Sequence, residues 1–425
     1  MMRQKNLLLI LSIVFLIFTS CKKNDDIQSG NLNVNDDDLN PVVTKTQHRH
    51  VEMQLVGSYP VVDFEQIVFE YTSVGPDMQT PIRLTGVISM PTAVYEKTEN
   101  PQTLMLYNEF TTAKHNERTS GDEVADIALY LNPYQGRITV SADLYGWTNT
   151  EDKPQAYCCT EISARETIDC WDAAMIILKQ KGYAIDDLPM YNLGYSSGAL
   201  DAMAVQRYVD ANRPDIQFVV TAVGGGPYDL AQVYKTYVET DTTGYICSLP
   251  LMLVAYKETF NLDFEYSDVF RKPLCDSIQS WILSKAYSTQ EINDLIGRDH
   301  HISEILTDVA YDTTSALGQL FLTKFRENSV CGVGQNWQPS TKTQYYVMHS
   351  PNDLYIDYLV GVEMADYLEN RGCTVIRDFS NVGNHVEYGL LAFIGKTLLL
   401  CQPELTSGAS ELKSISLELT NKSLQ

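Results

Sequence analysis

Residues 190–213 read MYNLGYSSGALDAMAVQRYVDANR, and the reading of this stretch decides the fold. The opening MYNL has the apolar and aromatic character of a buried strand, and the closing ALDAMAVQRYVDANR is rich in good helix formers. Between them stands Gly194-Tyr195-Ser196-Ser197-Gly198, a G-x-S-x-G. In a chain with 24 glycines the five residues alone say little. Strand, tight turn and helix around them are the setting that exposes a serine on a sharp, strained elbow. Side chains at 194 and 198 would collide with the crowded strand and helix, so glycine is required at both. Ser196 is then the candidate nucleophile. The backbone N–H of Ser197, at the helix start, points toward a candidate oxyanion hole.

The surrounding pattern agrees. From Gln66 to Pro91, QIVFEYTSVG and TPIRLTGVISMP flank the turn signal Pro76-Asp77 and predict an antiparallel hairpin. Short ungapped apolar runs follow at 103–107, 138–143, 190–194, 218–223, 344–349 and 374–379, as expected of strands buried on both faces. Helical patterns lie between them, including EISARETIDCWDAAMIILKQKG, so strand and helix alternate as in a mostly parallel sheet wrapped by helices. Residues 230–333 break that rhythm with helix-like sequence, including LPLMLVAYKETF and TQEINDLIGRD. They read as a cap inserted over the carboxyl edge of the sheet, where such sheets bind ligands. The α/β core is expected over 56–229 and 334–405, with a tail at 406–425.

A serine hydroxyl needs a base, and in a fold of this kind the chain order is Ser, acid, His. Of the seven histidines, His48, His50, His115, His300, His301, His349 and His385, only His385 lies well beyond a plausible acid, in the loop VGNHVEYG after the strand TVIRDF. His48 and His50 read as solvated residues near a tether, and His300-His301 as cap surface without metal-ligand spacing. The acid should end the strand QYYVMH. HSPNDLYID offers Asp353 in the strand-end turn and Asp357 four residues later. Asp353 is favoured, because Pro351-Asn352 makes a tight turn that aims it inward, whereas Asp357 suits the N-terminal charge of the next helix.

With these motifs in place, about residues 60–400 resemble the α/β-hydrolase superfamily, and within it the capped secretory-lipase-like esterases. GVISMP, ITVSADLYGW, GYSSG, AVGGGPYDL and NWQPSTKTQYYVMHSPNDLYID carry the resemblance. It implies an α/β-hydrolase fold with an N-terminal β-hairpin and helical cap, and a carboxylic ester hydrolase using Ser196, Asp353 and His385 without metal or organic cofactor. Where the family has His-Gly after the third strand, this chain has Asn108-Glu109-Phe110-Thr111. Phe110 is expected to give the second oxyanion N–H. A carboxylate at Glu109 would disfavour the developing anion unless it points away or is paired. A serine peptidase is the second enzymatic reading. A silent glycan- or lipid-binding protein is the third.

Composition narrows the partners. Acidic residues outnumber basic ones, 54 to 31, and the net charge of −23 repels nucleic acid. The substrate is expected to be a small-molecule ester; the sequence sets no oligomeric state. The start, MMRQKNLLLILSIVFLIFTSC, has a cationic head, an apolar run and small residues before Cys21, the form of a signal peptide over 1–20. FTSC resembles the bacterial lipobox, which implies cleavage before Cys21 and lipidation of its thiol. Residues 21–55 read as a flexible tether. Lys22-Lys23-Asn24-Asp25-Asp26 resembles the tethers of outer-membrane lipoproteins, so a lipid-anchored place in the cell envelope is expected, facing the periplasm or the surface. Eight further cysteines include no C-x-x-C and allow 105 pairings, of which none is assigned.

Overall fold

The computed structural model describes residues 21–26, 43–54, 61–115, 117–118, 120–121, 136–299 and 301–400. The expected signal peptide and the tail at 406–425 lie outside them. One ten-stranded sheet runs through the molecule in the order β1-β2-β3-β4-β6-β5-β7-β8-β9-β10. Its first part is an antiparallel meander: β1 (Cys21–Asp26), β2 (Val43–Gln54), β3 (Val61–Val74) and β4 (Pro81–Pro91). The β3–β4 pair is the expected hairpin, closed around Gly75–Thr80. The remaining strands, β5 (Thr103–Asn108), β6 (Arg137–Asp143), β7 (Met190–Tyr195), β8 (Phe218–Gly224), β9 (Gln344–Met348) and β10 (Thr374–Asp378), pair in parallel with one another.

Two strands fall where the sequence reads as tether. Among the β2 residues whose side chains are described, only Val43 and Val51 are apolar and buried, so hydropathy does not betray the strand. Its other support is polar. His48 Nε2 and His50 Nδ1 each lie 2.6 Å from a carboxylate oxygen of Glu65 on β3, and the His48 ring stacks on Tyr95 at 4.4 Å. These two histidines are thus half-buried partners of Glu65, not solvated ones.

The period-2 alternation of the central strands divides the core into two layers. Leu104 and Leu106 of β5 face one layer, together with α1 (Thr160–Gln180) and α2 (Ser197–Asn212). Met105 and Tyr107 face the other, with Tyr191, Leu193 and Tyr195 of β7 and with Phe393 and Ile394 near the end of the described chain. Between β8 and β9 the chain forms α3 (Leu230–Thr240), α4 (Ser248–Phe260), α5 (Thr289–Ile296) and α6 (Ala316–Asn328), with shorter helical pieces and one isolated bridge, Phe270–Leu306. Burial there is heavy: every residue of α4 from Ser248 to Tyr256 is buried. Lys285 ties this region to the loop after β6, its ammonium donating to the carbonyls of Gly146, Glu151 and Lys153 at 2.5–2.7 Å. Between β9 and β10 lies α7 (Leu359–Glu369), which packs on both strands.

Candidate active site

Ser196 sits between β7 and α2 at φ 56°, ψ −127°, a left-handed backbone that side chains rarely adopt. Its N–H is tied to the Gly224 carbonyl of β8 at 2.8 Å, which helps hold the elbow. The flanking glycines are required by contact. A Cβ on Gly194 would stand 2.0 Å from the Gly198 carbonyl oxygen, and one on Gly198 would stand 2.2 Å from that of Asn108. The strain is therefore sustained by backbone packed against backbone on both sides.

His385 opens a short helix after β10. Its Nε2 lies 3.0 Å from Ser196 Oγ and its Nδ1 lies 2.5 Å from Asp353 Oδ2. The ring is held on the elbow by Tyr195, whose hydroxyl donates to the His385 carbonyl at 2.6 Å, and by Tyr355, centred 4.8 Å away. Asp353 occupies the turn after β9, its Oδ1 accepting from the Tyr355 and Ile356 N–H groups at 2.8 and 3.0 Å. Burial disfavours its charge, but His385 and hydrogen bonds from His349 and His385 outweigh that, holding the carboxyl well below the usual range. Asp357 instead accepts from the Leu359 N–H at 3.0 Å, at the start of α7. Ser196, His385 and Asp353 are thus brought into one hydrogen-bonded line from three separate loops.

The turn after β5 supplies the rim. Glu109 is paired rather than bare: its carboxylate meets the Arg118 guanidinium at 3.2 Å and accepts from Ser141 Oγ at 3.1 Å. Phe110 lines a cavity of about 30 Å³ beside the elbow, with Glu109, Arg118, Trp147, Ser197 and Asp201. Thr111 lines that cavity and also a second, of about 20 Å³, that contains Ser196. The Thr111 hydroxyl donates to Ser197 Oγ at 3.0 Å. The Ser197 N–H, first in α2, has no intrahelical acceptor to find. The sequence reading singled out Ser197 and Phe110 and did not single out Thr111, which follows Phe110 by one residue.

The cavity at Ser196 has room for about one or two water molecules. Its outer wall comes from the inserted helices, with Val233, Tyr237, Tyr245, Ser248 and Met252, and its inner wall includes Tyr157, Tyr355 and Ile356. Tyr237 donates to the Tyr355 carbonyl at 2.7 Å, Tyr157 shares a hydrogen bond with Thr111 at 2.8 Å, and Tyr245 stacks on Tyr355 at 4.7 Å. Two of these tyrosine hydroxyls are therefore engaged with protein. Leu253, although fully buried, is not part of this wall. Among the described residues, no group of three or more His, Cys, Asp or Glu could hold a metal ion.

Solved structures share this architecture. The rice cell wall degrading esterase LipA from Xanthomonas oryzae is 20% identical, with a TM-score of 0.68 over 80% of this chain and 90% of its own. Candida antarctica lipase A is 12% identical, with a TM-score of 0.55 over 80% and 79%. The chain has the α/β-hydrolase fold. No protein-family model and no curated protein sequence matches it. In this α/β-hydrolase fold the strand-end loops of β5, β7, β9 and β10 converge on Ser196, which is where doubly wound sheets bind ligands.

Proposed function

We propose that this protein is a serine hydrolase that cleaves carboxylic esters through an acyl-enzyme on Ser196. The observation that carries the reading is the line Ser196 Oγ–His385–Asp353, which opens into a cavity walled by the inserted helices. His385 Nε2 takes the serine proton as Oγ attacks the ester carbonyl, then hands it to the departing alcohol. The same nitrogen next activates a water that releases the acid. Asp353, held ionised, orients the ring and stabilises the imidazolium. The N–H of Ser197, with that of Phe110 or its neighbour Thr111, serves the tetrahedral oxygen. The pairing of Glu109 with Arg118 supports this role, because the guanidinium offsets a carboxylate charge that would otherwise oppose the developing anion.

The solved structures that resemble it, an esterase and a lipase, support ester over amide substrates. A fluorophosphonate probe should label Ser196, and a panel of small esters and amides should show turnover of esters. Ser196→Ala and His385→Ala should each lower turnover by about four to six orders of magnitude, non-additively. An adduct on Ser197, or amide turnover exceeding ester turnover, would sink the reading. We also read Cys21 as the lipid-bearing residue that fixes the protein to the cell envelope, on the sequence FTSC that ends in it. Cys21→Ser should abolish incorporation of a fatty-acid probe; unchanged labelling removes the anchor.

A further inference from the structure

The carboxylate of Asp353 serves two imidazoles. His349, the residue that follows β9, is fully buried, and its Nε2 lies 3.0 Å from Asp353 Oδ2, the same oxygen that faces His385 Nδ1. Nε2 also lies 3.2 Å from the Ile356 carbonyl. Both neighbours can only accept, so the His349 proton belongs on Nε2. Nδ1 has no hydrogen-bond partner among the described residues. It is pressed against α7 at Gly361, where a Cβ would stand 2.8 Å from it. The ring therefore occupies a place that a glycine leaves open. With the Tyr355 and Ile356 N–H groups on Oδ1, four donors fix one carboxylate.

We propose that His349 is a positioning residue for proton transfer: by donating to Oδ2 it fixes the carboxylate plane and moderates the charge that His385 feels. This rests on the reading of His385 as the base for Ser196. The titratable groups facing the two imidazoles from the packed elements are Asp353 from the loop after β9, Tyr195 from β7 and Tyr355 from the turn before α7. Without the His349 donor, Asp353 presents more negative charge to His385 and stabilises the imidazolium. The ring then stays protonated, and inactive as a base, to higher pH.

The test is the pH profile of kcat/KM on a soluble nitrophenyl ester. His349→Leu should lower kcat roughly 10- to 100-fold, leave KM within about threefold, and move the acid limb to higher pH. His349→Gln, whose amide reaches about as far as Nε2, should restore most of kcat and the limb. His349→Asn, whose amide ends near Nδ1, carries the same expectation as leucine should the leucine chain not fold. In the unsubstituted protein, nitrogen NMR of labelled histidine should give His349 as the Nε2–H tautomer; a proton on Nδ1 would overturn the assignment without any variant. Leucine and asparagine chains that keep the wild-type limb and kcat would also overturn it. Failure of the fluorophosphonate to label Ser196 would instead sink the hydrolase reading itself, so the two failures are distinct.

Discussion

At the scale of single residues, buried carboxyls behave in opposite ways according to what they touch. Asp353 is held ionised by two imidazoles, so its contribution to stability is present above the unfolded carboxyl range near ~3.9 and is lost only as pH falls toward its lower folded value. Asp201 of α2 lines the cavity beside Ser197, and its Oδ1 has no partner among the described residues. Burial pushes its carboxyl up to about 7, against opposing effects of the Ser163 hydroxyl and Arg118. Burial likewise pushes Glu166 up to about 8, against the Tyr145 N–H and with added repulsion from Asp169 and Asp201. The unfolded chain releases these protons first, so stability should fall as pH rises from ~4 through 7–8, by several kcal/mol. Asp201→Asn cannot ionise. Its stability relative to wild type, from urea melts, should improve between pH 5 and pH 8; a difference independent of pH would remove the explanation.

At the scale of elements, the inserted helices present two neighbouring α4 side chains with different duties. Met252 lines the cavity at Ser196, while Leu253 is wholly within the core. Met252→Ala should raise specificity constants on longer acyl chains by tens of fold and keep turnover of a short ester, since each methylene is worth about 1–3 kcal/mol there. Leu253→Ala should instead cost about 2–5 kcal/mol of stability and depress all nitrophenyl esters together. Parallel behaviour of the two variants would show that neither selects substrate. The sequence alone distinguishes the central strands from the main helices here, because each central strand is a short apolar run and α1 a long one with helical spacing. It also orders Ser196, Asp353 and His385, because chain order and turn chemistry narrow the choice. It does not separate Met252 from Leu253, since apolarity alone does not say which side of a buried helix meets a void. It misses β2, whose support is the Glu65 clasp of two histidines, and it misses the hold of His349 on Asp353, which depends on Gly361 lying opposite.

At the scale of the whole molecule, one sheet joins an antiparallel meander to a parallel half, and no described helix is long and apolar enough to cross a membrane. The sequence leaves the pairing of eight cysteines open. In the structure the seven described ones, Cys158, Cys159, Cys170, Cys247, Cys275, Cys331 and Cys373, are free thiols, and all but Cys275 are buried. Burial pushes the Cys158, Cys170 and Cys331 thiols well up, so little reactive thiolate exists while they stay covered. The protein thus carries built-in clocks for its own opening. A thiol reagent captures each of these sites only when the surrounding structure breathes, and the capture rate reports the free energy of that event. Cys247 stands at the start of α4 in the inserted region, and Cys170 lies within α1 against the sheet. The ratio of their alkylation rates therefore tells whether the cover over Ser196 lifts while the sheet remains closed, or whether both yield together.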